Sequence, residues 1–117
     1  MHIERAVPDA ETGWNIGPWD TSVSISVGFV DESLNDPHFH EEVTEIYMVA
    51  QGTVDLRVEQ ETVRLHQNDV VVIEPGEAHT FLAASPDYFH FVVRTPGVAD
   101  TSSEKDRVRV KRSRLGL

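Results

Sequence analysis

Apolar and polar residues alternate with a period of two along most of this chain. In Ser22-Val23-Ser24-Ile25-Ser26-Val27-Gly28-Phe29 the odd positions are apolar and the even ones small or polar, the pattern of a half-buried strand. Residues 45–49 are rich in strand formers, and Gly52 marks a turn before Val54–Val58. There the alternation sends Val54, Leu56 and Val58 inward and Asp55, Arg57 and Glu59 outward. A further short strand is expected at 62–65, and Asn68-Asp69 is a turn ahead of the apolar run Val70-Val71-Val72-Ile73. Pro75-Gly76 is another turn. Segments 79–83 and 88–93 complete the set, separated by Ser85-Pro86-Asp87. In the last strand Tyr88, His90 and Val92 alternate with Phe89, Phe91 and Val93, and the pattern fits either set facing inward. No stretch holds a helical period for three turns. Many short strands at close spacing predict an all-β sandwich, jelly roll or barrel.

The 117 residues suit one domain with one core. The pattern divides them into an N-terminal arm over 1–21, a barrel over 22–97 and a basic tail over 98–117. The arm, with Pro8, Gly13, Gly17 and Pro18, is expected to be mostly irregular. Its Trp14 and Trp19 are expected to pack on the barrel or a neighbouring subunit, or to close the mouth of a cavity. Past Pro96-Gly97, Thr101-Ser102-Ser103 reads as a linker, and Val108 and Val110 alternate with Arg and Lys as an edge strand would. No run of eighteen apolar residues is present, so no membrane helix is expected. The first residues lack the basic start and apolar stretch of a secretion signal, which makes the cytoplasm the expected location.

Charge and cysteine count narrow the chemistry. Residues 104–117 carry six basic groups against two acids, and the rest carries four Arg against eighteen acids. So acidic a body repels phosphates and argues against nucleic-acid binding; the tail is read as solvated or docked on a subunit. With no cysteine, thiolate metal sites and thiol nucleophiles are excluded, and any metal must be held by nitrogen and oxygen.

Three of the six histidines form a pattern with a carboxylate. His38 and His40 are two apart on an extended segment, so both imidazoles share a face. Glu45 follows after a gap long enough for the chain to turn back, and His79 stands three residues after Gly76 at the mouth of another strand. Three imidazoles and one carboxylate suit one divalent Fe, Mn, Ni, Zn, Co or Cu ion and are poor ligands for Mg or Ca. Glu41 and Glu42, directly after His40, are read as solvated rim residues. His2, His66 and His90 are read as structural or exposed.

The stretch His38-Phe39-His40-Glu41-Glu42-Val43-Thr44-Glu45 through Gly52 resembles the first motif of the cupin superfamily, and Gln67-Asn68-Asp69 through Pro75-Gly76-Glu77-Ala78-His79 resembles the second. The resemblance, to the small single-domain members, spans roughly residues 22–94. It implies a cupin-type jelly-roll β-barrel (a double-stranded β-helix) with a metal bound by His38, His40, Glu45 and His79. Glu32, Asn68, Glu74 and Ala83 stand where the family's motifs carry Gly, Gly, Pro and Asn; Asn68 tolerates positive φ well enough to serve.

Alternation points Tyr47 toward the cavity as acid, base or hydrogen-bond donor, with Val49 and Phe81 also inside. The expected cavity is mostly apolar. Cupins with this ligand set include dioxygenases, isomerases, decarboxylases and lyases. An apolar pocket favours dioxygenase chemistry on a small organic molecule. An isomerase or lyase using Tyr47, or a metal-containing binding module without turnover, are the alternatives. Sugar-phosphate chemistry is disfavoured because only Arg5, Arg57, Arg64 and Arg94 lie outside the tail. Resembling proteins often pair, so a homodimer is expected.

Overall fold

The period-two alternation is realised as strands in two stacked sheets. The computed structural model describes residues 1–6, 9–30, 36–97 and 106–117, so Glu32 and the 101–103 linker lie outside the described residues. The strands are β1 (Thr12–Ile16), β2 (Ser26–Val30), β3 (His38–His40), β4 (Thr44–Gln51), β5 (Val54–Val58), β6 (Glu61–Leu65), β7 (Val70–Ile73), β8 (His79–Ala84), β9 (Phe89–Thr95) and β10 (Arg107–Arg109). One sheet has the order β1-β2-β9-β4-β7 and the other β10-β3-β8-β5-β6. Every pairing is antiparallel. This is a jelly roll, and no helix among the described residues is long and apolar enough to cross a membrane.

Between the sheets, Val49, Val54, Leu56, Leu65, Ile73 and Val92 form the buried core. Val54 and Leu56 face inward as the alternation predicts. The open choice in β9 falls to one side: His90, Val92 and Arg94 are buried, with Tyr88 just ahead of them, while Phe91 is exposed. Asn68 takes φ +73° and its N–H donates to the carbonyl of Val49 at 2.7 Å, so the turn forms without glycine.

One expectation is refined and one corrected. Within the mostly irregular arm, Thr12–Ile16 form β1, which pairs with β2 through Thr12↔Val30, Gly13↔Phe29 and Trp14↔Gly28. The sequence Thr-Gly-Trp-Asn-Ile has no alternating signature, because β1 is held by its partner rather than by a buried apolar face. A Cβ at position 28 would lie 2.7 Å from the Trp14 ring, so only glycine admits the indole there. In β2 the apolar odd positions are not the buried ones. Ser26 and Gly28 are buried, whereas Val27 and Phe29 are half-buried, Phe29 stacking on Phe89 with ring centroids 5.8 Å apart.

The C-terminal residues are built onto the barrel rather than left in solvent. β10 pairs with β3, matching Arg107 to His40 and Arg109 to His38. The following 3-10 turn, Arg112–Leu115, buries Leu115 completely. Arg57 Nε donates to the Leu115 carbonyl at 2.8 Å. Leu115→Ala is expected to cost about 2–4 kcal/mol from lost burial plus the cavity left behind. Urea unfolding should show a lower midpoint at unchanged slope.

Candidate metal centre

Pairing of β3 with β8 sets His38 directly opposite His79, and alternation along β3 adds His40 on the same face. Across the interior, β4 supplies Glu45 and Tyr47 from the other sheet. The site is therefore made where the two sheets face each other, and the partners His38 and His79 are far apart only in sequence. Gly76, at φ +85°, donates its N–H to the carbonyl of His40 at 2.8 Å, tying the loop before His79 to β3.

One ligand atom from each of His38, Glu45 and His79 lies within 4.8 Å of the others. His40 joins through its Nε2, 3.2 Å from Glu45 Oε1, and His79 Nε2 lies 3.4 Å from the same oxygen. All four residues are buried. Each imidazole is held from behind by its other nitrogen: His38 Nδ1 on the carbonyl of Asp36 at 2.7 Å, His40 Nδ1 on Asp106 Oδ1 at 3.0 Å, His79 Nδ1 on the carbonyl of Glu77 at 3.0 Å. Anchoring of Nδ1 directs Nε2 to the centre, the way metal-ligating histidines are oriented by their outer partners. Apart from that contact with Glu45, the buried Nε2 of His40 finds no hydrogen-bond partner among the described residues. An orphaned buried nitrogen, two more aimed the same way and a carboxylate are a donor set that fits a divalent transition metal.

Burial is the largest influence on His38 and lowers its pKa to about 4, which keeps the ring neutral as a ligand must be. At His40 burial pulls downward too, but the carboxylates of Glu45 and Asp106 outweigh it and hold the pKa up. Burial would raise the pKa of Glu45; His40, His79 and Arg94 together push it well below the carboxylate range. Arg94, the residue opposite Glu45 in the β4–β9 ladder, donates from Nε to Glu45 Oε2 at 3.0 Å and is capped by the Trp14 ring at 4.6 Å. Tyr47 donates to Glu45 Oε1 at 3.0 Å, and its hydroxyl is 3.5 Å from His79 Nε2. Burial, then the Glu45 charge, raises the Tyr47 pKa well above its ordinary value.

A cavity of about 250 Å³ opens over this cluster. Trp14, Phe29, Phe81 and Val92 give it apolar walls, but Tyr47, His90, Arg94 and Arg107 also line it. The expected mostly apolar cavity is thus corrected to a mixed one with two guanidinium groups. Arg94 was reachable by counting alternate residues along β9; Arg107 was not, since it arrives on a tail strand that only tertiary pairing brings to β3. Phe81 lines the cavity as expected, whereas Val49 packs in the core and is not among the lining residues. Glu41 and Glu42 are exposed. Sequence reasoning missed Asp106, which besides His40 accepts the N–H groups of Glu42 at 3.3 Å and Val43 at 3.0 Å. An aspartate among six basic residues carries no signal of that role.

Fold and site together define the class: a jelly roll enclosing three histidines and a glutamate that face one another. The chain belongs to the cupin domain family, whose pattern it matches over residues 27–93, more than half its length. Solved structures share the fold. Streptomyces PAC13 with uridine is 15% identical at a TM-score of 0.67, covering 92% of this chain and 85% of that one. KdgF from Halomonas sp. is 24% identical at 0.64, covering 83% and 90%. A protein from Planctomyces limnophilus is 16% identical at 0.70, covering 92% and 96%. Comparison with curated protein sequences finds no match.

Two outcomes are expected. His79→Ala and Glu45→Gln each bring metal content, measured by mass spectrometry of the purified protein, well below one ion per chain. Asp106→Ala lowers metal affinity about 10–100-fold while leaving the ligands in place. A separate outcome concerns pH. Burial lowers the His90 pKa to about 4 against an ordinary 6.5, with the nearby Glu45 charge opposing. The unfolded chain therefore binds a proton at His90 in a window where the folded chain does not. Stability of the metal-free protein relative to His90→Phe should fall as pH drops from 6.5 to 4 and stay level above 6.5. Denaturant melts of both proteins across that range check the sign.

Proposed function

We propose that this protein is a metal-dependent cupin enzyme acting on a small organic acid by proton-transfer chemistry of the lyase or isomerase kind. The observation that carries this reading is the cavity directly over the His38–His40–Glu45–His79 cluster, lined by Arg94 and Arg107 beside Tyr47 and His90. Three neutral imidazoles and one carboxylate leave a divalent ion with net positive charge, and two guanidinium groups add to it. An anionic substrate is what such a pocket attracts, even within an acidic body. His38, His40, Glu45 and His79 would hold the ion, which when bound supplies Lewis acidity. Arg107 pairs with a substrate carboxylate, and Arg94 holds Glu45 in place. Tyr47 carries its hydroxyl proton within 3.0 Å of Glu45, from where it donates to an oxygen developing charge on the substrate. Trp14, Phe81 and Val92 exclude water. The PAC13 protein of the same fold is described as a nucleoside dehydratase, a lyase activity of that protein; its likeness supports a fold that can host such chemistry.

A dioxygenase is the second reading, favoured by the aromatic walls Trp14, Phe29 and Phe81. The test is to strip the protein, reload it separately with Fe, Mn, Ni, Zn, Co or Cu, and incubate it with small hydroxy and keto acids. Product is followed by NMR and dissolved oxygen by electrode. Turnover without oxygen uptake supports the proposal; stoichiometric uptake replaces it with the dioxygenase; tight retention without turnover makes the protein a binding module. With an active substrate, Tyr47→Phe is expected to lower kcat about 10²-fold at unchanged metal content. Arg107→Gln is expected to raise KM roughly tenfold.

A further inference from the structure

Beside Tyr47 lies a second polar unit that the histidine–glutamate cluster does not use. His90, on β9, is 2% exposed, and so is Tyr88. The Tyr88 hydroxyl and His90 Nδ1 are 2.5 Å apart. Among the described residues no other acceptor takes the Tyr88 proton, so the phenol donates and Nδ1 accepts. A neutral imidazole that accepts at Nδ1 carries its proton on Nε2. Packing fixes the ring as well: it stacks on Phe81 at a centroid distance of 5.3 Å and 26°, and meets the edge of Tyr47 at 5.1 Å and 74°. The ring lines the cavity, and no protein acceptor meets its Nε2 among the described residues.

We infer that His90 is a substrate-binding residue whose Nε2–H donates a hydrogen bond to an oxygen of the substrate, with Tyr88 as the positioning residue that sets the tautomer. This rests on the proposed small-acid reading and sharpens it. The acid must carry, besides the carboxylate held by Arg107, a carbonyl or hydroxyl oxygen that reaches the β9 wall. Hydroxy and keto acids have that second oxygen; simple alkyl acids do not. A cavity built to hydrogen-bond an oxygen rejects the analogue lacking it, because the buried donor is then left unpaired.

The experiment uses the full chain loaded with zinc and labelled with nitrogen-15 in histidine. Spectra through the two-bond couplings of each ring should show His90 with the proton on Nε2 and an unprotonated Nδ1 at pH 7. A proton on Nδ1 overturns the inference whatever binds. The probes are pyruvate, lactate and propionate, followed by the His90 nitrogen shifts. Pyruvate or lactate is expected to move the Nε2 resonance and to bind at least tenfold more tightly than propionate. His90→Phe, which keeps the ring volume without the donor, should abolish that preference while retaining one zinc per chain; His90→Gln, which restores an N–H, should recover part of it. Tyr88→Phe should mix the two tautomers and weaken the preference. Equal binding of the three acids with an unmoved His90 resonance overturns the inference but leaves the anionic pocket standing. Failure of all three to bind, with the tautomer as stated, sinks the small-acid reading and the His90 role with it. Loss of zinc in His90→Phe assigns the residue to the metal centre instead.

Discussion

A carboxylate with 1% of its surface exposed, Glu45, is the constraint around which the interior is arranged. A buried charge on its own is costly enough that a protein neutralises it or surrounds it with partners. Here the partners come from both sheets. Arg94 and Tyr47 reach it from its own sheet, and His40 and His79 approach from the other. The same oxygen that would ligate a metal is thus the point at which the two halves of the jelly roll are bound electrostatically. Removing Glu45 would take away a candidate ligand and also the carboxylate to which Arg94 Nε donates.

The three imidazoles obey a second constraint. Each spends one nitrogen on a fixed acceptor, and two of those acceptors are backbone carbonyls that strand and turn geometry place without help from sequence. Only His40 relies on a side chain, Asp106, and that residue is delivered by the C-terminal strand. The tail therefore acts structurally at the centre of the molecule. It brings Asp106 behind one histidine, Arg107 to the cavity wall, and Leu115 into a buried site. Its positive charge offsets locally an acidic body, and Arg107 adds a cation to a cavity wall that also holds Arg94 and Glu45.

The lining of the cavity bears on chemistry as much as the candidate ligands do. Imidazoles and a glutamate are shared by enzymes with very different reactions, and fold likeness does not separate them. What differs is the wall of the cavity, lined here by two arginines, a phenol and an imidazole. Trp14 links these elements, since its ring both caps Arg94 and closes part of the cavity, in a space that Gly28 keeps open.

Strand alternation was readable because period two is a local property, and it placed Val54, Leu56, Tyr47 and Phe81 on the inward side before any contact was known. The two histidine-bearing motifs were readable for the same reason, being short and contiguous. What escaped were particular contacts that depend on a partner distant in the chain. Arm residues Thr12–Ile16 became a strand through β2, Asp106 and Arg107 reached the site through β3, and the apolar side of β2 faced away from the core because Trp14 occupies the space over Gly28. By itself the sequence determined a β-rich chain with His38, His40, Glu45 and His79 in cupin order. Tertiary structure alone decided the polarity of the cavity, since charge there is the sum of side chains that meet only when the sheets close.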